Sequence, residues 1–440
     1  MSLISREEFA ARRQHVLDKI DANSIVILTA NNEITRAGDS SYYFRQNSNF
    51  YYLTGFDEPD AVLVLAPGYI DGDFLLFNRP RDPLMEIWNG HRAGQEGAVK
   101  EFGADAAYPI DEFYEHLPQL LTNRKRVYYP VGNDMSIDEL LMDTVNTLRS
   151  KVRSGVSVPE EFHNIAPMIH EMRLRKSAAE IATMRKAAQA SIAAHKRAMK
   201  ACRPGIHEYE LEAELMYEFY RHGCRYPAYS SIVGGGKNGC TLHYITNNEQ
   251  LTNGELVLID AGGEYEYYAS DITRTFPING KFSEPQKQLY ELVLTSQLAA
   301  IDMIRPGVPF FEIQKKIQRI LTQGLIDLGI LKGELEALLE QQAIRRFYMH
   351  NSGHWLGLDT HDAGVYKINN EWRPLEKDFV LTVEPGLYIA ANSEGVDPKW
   401  WNIGIRIEDD ILVTKDGHEV LTAGLAKTVT DIETLMAESK

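Results

Sequence analysis

Two runs separated by ten residues stand out in the second half of this chain: Leu256-Val-Leu-Ile-Asp260 and Asp271-Ile-Thr-Arg-Thr-Phe276. β-Branched and aromatic residues dominate both, which predicts the two strands of a hairpin. With the turn centred on Tyr265-Glu266, Asp260 lies opposite Asp271, about 4.5–5.5 Å away at Cβ. Facing carboxylates destabilise a sheet unless one is protonated or a cation lies between them, so the pattern favours a metal ion. The alternative is a turn at Gly262-Gly263, which leaves two ordinary acids at strand ends.

Three further candidate ligands follow, each at a strand end or in a glycine-rich turn. Glu384 ends a buried-type strand over 379–383, and His354 lies in a glycine-rich segment. Glu408 shares one face of an alternating strand with Arg406. Four carboxylates and one imidazole without a thiolate suit Mn²⁺, Mg²⁺, Fe²⁺ or Co²⁺ better than structural zinc. Since four acids are too many for one divalent ion, the set favours two ions about 3.5–4 Å apart.

Length and composition restrict the remaining possibilities. The chain has 440 residues, and one core rarely exceeds about 250–300, so two domains are expected. A net charge of −16 opposes binding to nucleic acid or to anionic membranes. Neither a signal peptide nor an apolar run of membrane-spanning length is expected. Cys202, Cys224 and Cys240 lack CxxC spacing, which favours reduced thiols and a cytoplasmic location.

The first part of the chain alternates helix and strand signals, which is typical of an α/β domain. Helices are predicted at 6–20, 95–102 and 136–149, and strands at 24–30, 50–54, 61–65, 74–77 and 126–129. Residues 154–168 contain two prolines and no clear period. We therefore predict a link there, with domains spanning 1–170 and 171–440.

The second domain repeats one order of elements. Ser177–Glu180 and Ser283–Gln286 are capping-box patterns that each begin a predicted helix. Each helix stops at an Arg-Pro-Gly, and a second helix and strands follow. The order predicts two related halves with a cleft between them. A glycine-rich string at 234–239 precedes Cys240–Ile245, which favours a strand rather than the helix of a phosphate-binding loop.

These motifs together resemble the M24 metallopeptidases, the pita-bread enzymes. The matching stretches are Asp260–Phe276, His350–Asp362, Leu381–Tyr388 and Gly404–Asp409. Tyr43–Phe50, Tyr52–Pro59 and Glu86–Gly90 resemble the N-terminal domain of the aminopeptidase P branch of that family. One departure is Asn351 directly after His350, where glycine is expected; it removes no ligand. The resemblance implies an α/β N-terminal domain and a pita-bread domain with an internal two-fold repeat of helices and antiparallel strands.

The same resemblance implies an aminopeptidase that releases the N-terminal residue when proline is second. Asp271 and Glu408 would bridge two metal ions, with manganese the implied metal. Asp260 would complete one site, and His354 with Glu384 the other. A water activated between the ions would attack the peptide carbonyl, and Glu384 would handle the proton.

Further site residues are also implied by the resemblance. They are His361 for the oxyanion, His243, His350, Tyr229 and Trp88 for the substrate, and Tyr388, Arg406 and Asp39 for a supporting hydrogen-bond relay. The face that Arg406 shares with Glu408 fits the relay independently. For His243 and His350, which lie beside aromatic residues, a packed core histidine is the alternative.

The resemblance also implies a homotetramer in which the N-terminal domain serves oligomerisation and access control. The expected partners are then peptides with a Xaa-Pro N-terminus. Two alternatives remain. One is a prolidase, which takes only Xaa-Pro dipeptides, and the other is a pita-bread binding protein without activity. The presence of every metal ligand argues against the second.

Overall fold

The computed structural model describes residues 3–438. Its internal contacts divide the chain into two compact units, and the division falls between Met172 and Arg173. Both units mix helices and strands, as the sequence predicts. In the described part of the chain, no helix has the length and apolar character needed to span a membrane.

A six-stranded mixed sheet forms the centre of the first unit. Its strands, in spatial order, are Ala106–Pro109, Phe74–Asn78, Val62–Leu65, Ser24–Thr29, Arg126–Tyr129 and Glu161–Asn164. The helices are Arg6–Leu17, Ser48–Thr54, Pro83–Asn89, Gly94–Lys100, Phe113–Leu121, Met135–Arg149 and Ala166–Leu174. A short hairpin pairs Thr35–Ala37 with Ser40–Ser41. The central strands are buried, and the apolar helix faces pack on them to form a core.

Two predictions for this unit are wrong. The apolar run 50–54 lies in the helix Ser48–Thr54 rather than in a strand. The Asn47 side chain caps that helix, and Gly55 ends it at φ 67°. A short buried apolar run does not distinguish a strand from a helix by its period. Residues 154–168 are also more than a link, because Glu161–Asn164 pairs in parallel with Arg126–Tyr129 at the sheet edge.

The second unit repeats a pair of helices followed by strands. The helices are Ala178–Ala201, Glu208–Arg221, Glu284–Asp302, Phe310–Asp327, Leu335–Glu340 and Val429–Ala437. Three-stranded sheets join Ile232–Gly235, Leu256–Asp260 and Thr273–Pro277, and also Val380–Val383, Asp409–Val413 and His418–Val420. Smaller sheets pair Gly386–Ile389 with Ile403–Arg406, Gly263–Tyr265 with Tyr226–Pro227 and Tyr268–Ala269, and Lys367–Ile368 with Glu371–Trp372. Both predicted capping boxes are present.

The hairpin that carries Asp260 forms with a different register. Asp260 pairs with Thr273 rather than with Asp271. The turn lies at Glu266-Tyr267, whose φ values of 46° and 72° suit a two-residue hairpin turn. Because the register shifts by two residues, both aspartates still lie on the same face.

The glycines of the hairpin and of the glycine-rich string have packing roles. A Cβ on Gly262 would lie 1.6 Å from the Ser270 carbonyl oxygen, so the two arms approach too closely for a side chain. A Cβ on Gly404 would lie 2.1 Å from the Gly239 carbonyl oxygen. The predicted strand at 240–245 is wrong, since a 3₁₀ helix over Gly236–Cys240 is followed by turns and irregular backbone. The string therefore permits close backbone packing.

Candidate metal centre

The two aspartates of the hairpin meet at the Tyr229 side chain. Asp260 is the last residue of its strand, and Asp271 precedes the partner strand by two residues. The Tyr229 hydroxyl lies within hydrogen-bond distance of one carboxylate oxygen of each. This contact joins the two acids that the register leaves diagonal to each other.

His354 approaches the aspartates from the second half of the unit. Its Nε2 lies 3.4 Å from Asp271 Oδ2 and 3.8 Å from Glu384 Oε1. Its Nδ1 lies 3.0 Å from the Trp355 carbonyl oxygen. A carbonyl only accepts, so Nδ1 carries the hydrogen and Nε2 is left to face the acids. This is the arrangement expected of a metal-binding histidine.

Glu408 completes the group. It lies between the strands Ile403–Arg406 and Asp409–Val413, and its Oε2 accepts a 2.7 Å hydrogen bond from Thr273 Oγ1. Donor atoms of Asp271, His354 and Glu408 all lie within 4.8 Å of one another. The fold thus brings together all five side chains predicted as ligands.

The electrostatics of this cluster fit a bound cation. Burial raises the pKa of Asp260 and holds that of Glu408 well above its usual range. Burial likewise raises the pKa of Glu384 to about 7, and the neighbouring aspartates add to the rise. Burial would raise the pKa of Asp271, but the hydrogen bond and charge of His354, together with hydrogen bonds from Tyr229 and Glu408, lower it. Crowded buried carboxylates of this kind are the hard oxygen donors that divalent ions prefer.

A chain of hydrogen bonds runs from His350 to the cluster. His350 Nε2 lies 2.8 Å from the Tyr388 hydroxyl, which accepts from Arg406 Nη1 over 2.8 Å. Arg406 Nη2 donates to Asp260 Oδ2 at 2.6 Å. Burial raises the pKa of Tyr388 to about 12, so the phenol stays protonated at neutral pH. The structure therefore joins two of the three residues predicted for the relay, Tyr388 and Arg406, and it adds His350, which was predicted as a substrate residue.

Two further histidines face the same region. The ring of His361 meets that of His354 edge to face, with centroids 4.4 Å apart. His243 is exposed, and its charge contributes to lowering the pKa of both His350 and His361. A packed core position is therefore wrong for His243. His350 is partly buried between Tyr348 and Tyr388, with its ring nitrogen still bound in the relay.

Two of the predicted site residues, Asp39 and Trp88, belong to the first unit. Asp39 is exposed in the turn between Thr35–Ala37 and Ser40–Ser41. Trp88 is 81% exposed on the helix Pro83–Asn89, and none of the seven described residues of this helix is buried. Their contributions to the site stay predictions.

Sequence reasoning missed the residues that support the ligands. Asp410 is buried and accepts from Ser270 Oγ at 2.8 Å and from the Asp271 backbone N–H at 3.2 Å. Arg274 is fully buried and donates to the Glu408 carbonyl oxygen over 2.6 Å. Charged residues within apolar strands were the available signal, since such groups are rarely buried unless paired.

The fold and this site define a class of protein. Residues 182–415 match the metallopeptidase family M24, and residues 9–128 match the aminopeptidase P N-terminal domain. The chain therefore belongs to the metallopeptidase family M24. The resemblance predicted from the sequence motifs is confirmed.

Individual relatives narrow the comparison. The chain is 47% identical to the Xaa-Pro aminopeptidase of Escherichia coli K12, with 100% of each sequence covered. It superimposes on the Pseudomonas aeruginosa aminopeptidase PepP with a TM-score of 0.98 at 50% identity, covering 100% of this chain and 99% of that one. A zinc-substituted E. coli aminopeptidase P in complex with product gives a TM-score of 0.96 at 47% identity, with 99% of each chain covered. These matches confirm the predicted fold class.

Proposed function

We propose that this chain is a dinuclear-metal Xaa-Pro aminopeptidase, which releases the N-terminal residue from peptides with proline in second position. The observation that carries the proposal is the convergence of Asp260, Asp271, His354, Glu384 and Glu408. Full-length similarity to proteins named Xaa-Pro aminopeptidase favours this activity over that of a prolidase. The complete set of ligand side chains argues against a binding protein without activity.

We assign the five ligands as the family resemblance implies. Asp271 and Glu408 would be ligands shared by two ions, and the grouping of their donor atoms with His354 supports this. Asp260 would complete the first site, and His354 with Glu384 would complete the second. When bound, the ions supply Lewis acidity and lower the pKa of a water molecule. We propose manganese as the metal, as the family resemblance implies; the oxygen-rich donor set is compatible with it.

The chain's own groups would manage the proton. We propose that Glu384 accepts and returns the proton, as the family resemblance implies. Burial lowers the pKa of His350 to about 3, and burial also lowers that of His361. Both imidazoles are therefore neutral at pH 7. His361 can then donate an N–H to the developing oxyanion.

The relay would hold Asp260 in its ligand orientation. Arg406 occupies one oxygen of Asp260 while Tyr229 contacts the other, so the carboxylate has little freedom to rotate. Tyr388 connects Arg406 to His350, and through it to the proline side of the cleft. We propose Asp39 as a further member of this relay on the family resemblance alone.

Proline specificity follows from the chemistry of the Xaa-Pro bond. This bond is a tertiary amide without an N–H, and its ring needs an apolar wall. His243, His350, His361 and Tyr229 offer imidazole and aromatic faces of that kind. We propose Trp88 as an additional substrate contact.

The decisive experiment compares three substrates with and without Mn²⁺. We expect release of the N-terminal residue from Xaa-Pro-Yaa, and much slower cleavage of Xaa-Ala-Yaa. Cleavage of the Xaa-Pro dipeptide alone would instead identify a prolidase. If the metal-free protein takes up no Mn²⁺ and cleaves none of the three, the binding-protein alternative holds.

We also propose a homotetramer in the cytoplasm, with the N-terminal unit serving assembly and access control. Leu84, Ile87 and Trp88 are 74%, 77% and 81% exposed on one short helix, and an exposed apolar patch of this type marks an interface. Sedimentation should therefore show a species about four times the 49.9 kDa chain mass, and a monomer at working concentration would refute it. The location rests on the cysteine pattern, and Cys202, Cys224 and Cys240 are free thiols.

A further inference from the structure

A largely buried cluster of charged residues, the 173–362 cluster, lies outside the metal centre, and of its four residues only Asp359 is substantially exposed. It consists of Arg173, Lys176, Asp359 and Asp362. The side chains of Arg173, Lys176 and Asp362 are only 3%, 1% and 1% exposed. Lys176 Nζ donates to Asp362 Oδ2 over 2.9 Å, and the Arg173 guanidinium donates to Asp362 Oδ1 and to Asp359. Both oxygens of Asp362 are therefore held by cations.

Asp362 directly follows His361 and closes the loop that begins at His354. Its backbone N–H donates to the Trp355 carbonyl oxygen over 2.9 Å. This hydrogen bond joins the two ends of the loop. The rings of His354 and His361, one near each end, are in edge-to-face contact. Fixing the Asp362 side chain consequently limits the directions in which His361 can point.

The same loop contacts the strands that carry the other ligands. The Gly357 carbonyl oxygen accepts from the Ala269 N–H over 2.8 Å, two residues before Asp271. Thr360 Oγ1 donates to the Ala228 carbonyl oxygen at 3.4 Å, beside Tyr229. A Cβ on Gly357 would lie 2.2 Å from Asp362 Oδ2, so the loop is packed directly on the cluster.

The stability of the fold alone does not account for the burial of these charged side chains. Burying an ion pair carries a large desolvation penalty, and well-packed apolar residues are often at least as stabilising. A carboxylate held at both oxygens instead provides direction, because each hydrogen bond restricts its rotation. Burial alone would raise the pKa of Asp362, but Lys176 and Arg173 hold it below its usual value, so the group is ionised.

We propose that Asp362, held by Lys176 and Arg173, is a positioning residue that orients His361 toward the reacting carbonyl. This inference rests on the proposed aminopeptidase function. The orientation of the His361 imidazole would then depend on the salt bridges of the 173–362 cluster, whose two cations lie just before the helix Ala178–Ala201. Asp362 itself acts only through its neighbour.

The test is a double-mutant cycle with Xaa-Pro-Yaa and Mn²⁺. Misplacement of a reacting group by about 1 Å can lower the rate about 100-fold. We expect Asp362→Asn to lower kcat at least about tenfold in the wild-type background, and less than about twofold in the His361→Ala background. Equal losses in both backgrounds would overturn the proposal, because a structural defect acts whether or not His361 is present.

The matched control is Glu419→Gln. Glu419, on the strand His418–Val420, pairs at 3.0 Å with Arg185 of the helix Ala178–Ala201, and both side chains are 42% exposed. This variant should leave kcat unchanged. If Asp362→Asn does not fold, Lys176→Met takes its place, since it retains the Arg173 contact, and the same two outcomes apply.

A second readout separates this proposal from the proposed function. The measurement is an NMR spectrum of protein with isotope-labelled histidines. The His361 ring resonance is identified as the one that is absent from the spectrum of His361→Ala. We expect Asp362→Asn to shift that resonance, and Glu419→Gln to leave it in place. A shifted resonance in a protein that cleaves no Xaa-Pro peptide would refute the function and retain the positioning role. An unmoved resonance in an active enzyme refutes the positioning role alone.

Discussion

Replacing Glu384 by Gln should raise the free energy of unfolding of the metal-free protein at pH 8. The same substitution should abolish the activity of the metal-loaded enzyme. Without bound cations, burial raises the pKa of this carboxyl from 4.5 to about 7. A carboxyl whose pKa is higher in the folded state binds its proton more tightly there. The folded state therefore loses stability as the pH rises from 4.5 to about 7, and the loss is complete above pH 7.

The magnitude follows from the same shift. Each unit of difference in pKa corresponds to about 1.36 kcal/mol, so ionised Glu384 lowers the free energy of unfolding by about 3 kcal/mol at pH 8. Glutamine is uncharged at every pH and avoids this loss. At pH 5 most of the penalty is absent, and the expected gain falls below about 1 kcal/mol.

Thermal unfolding in chelator at the two pH values measures the effect. Each kcal/mol of stability changes the melting temperature by about 2–4 °C. The variant should therefore melt roughly 6 °C or more above wild type at pH 8. Glu433→Gln is the control of opposite sign. There burial is outweighed by Lys281 and a backbone N–H, which lower the pKa of Glu433. That control should lose stability at pH 8. If Glu384→Gln melts at or below wild type at pH 8 in chelator, the electrostatic reasoning is wrong.

Four further outcomes are expected. His354→Ala should abolish turnover while leaving the circular dichroism unchanged, and full turnover after chelation and Mn²⁺ readdition would contradict its ligand role. Asp260→Asn should reduce the bound metal toward one ion per chain by elemental analysis, and an unchanged stoichiometry would argue against it. Gly262→Ala should lower the melting temperature by several degrees, because the added Cβ would lie 1.6 Å from the Ser270 carbonyl oxygen; Gly417→Ala, whose nearest atom is 4.0 Å away, should not. With enzyme in large excess, Xaa-Pro-Yaa should disappear in a fast phase and then in a slow phase whose rate does not depend on enzyme. An extended cleft takes the trans Xaa-Pro bond, and the cis fraction converts to trans slowly. A single phase despite a measurable cis fraction would disprove this.

Local patterns in the chain were sufficient for much of the fold and for selecting the four carboxylates and one imidazole that the fold brings together. The helix Met135–Arg149 forms within one residue of its predicted bounds, and both capping boxes form where the sequence predicts them. Helix ends depend on side chains within three or four residues, so short-range chemistry specifies them. Glu384 and Asp260 were recognisable because each acid ends an apolar strand, where its side chain leaves the core.

Tertiary contacts decided the rest. The run Phe50–Thr54 is buried at every position, so its burial period does not separate a helix from a strand. The hairpin register depended on the backbone of Glu266-Tyr267, which adopts positive φ although neither residue is glycine.

The partners of the supporting residues were also set by tertiary contacts. Glu408, Asp409 and Asp410 are consecutive acids, yet only Glu408 joins the candidate metal-binding group, while Asp409 binds Arg274 and Asp410 accepts from Ser270. Their partners lie more than a hundred residues away in the chain. A periodic pattern reports which face of an element is buried, but the group that meets a buried charge is set by the packing of distant segments.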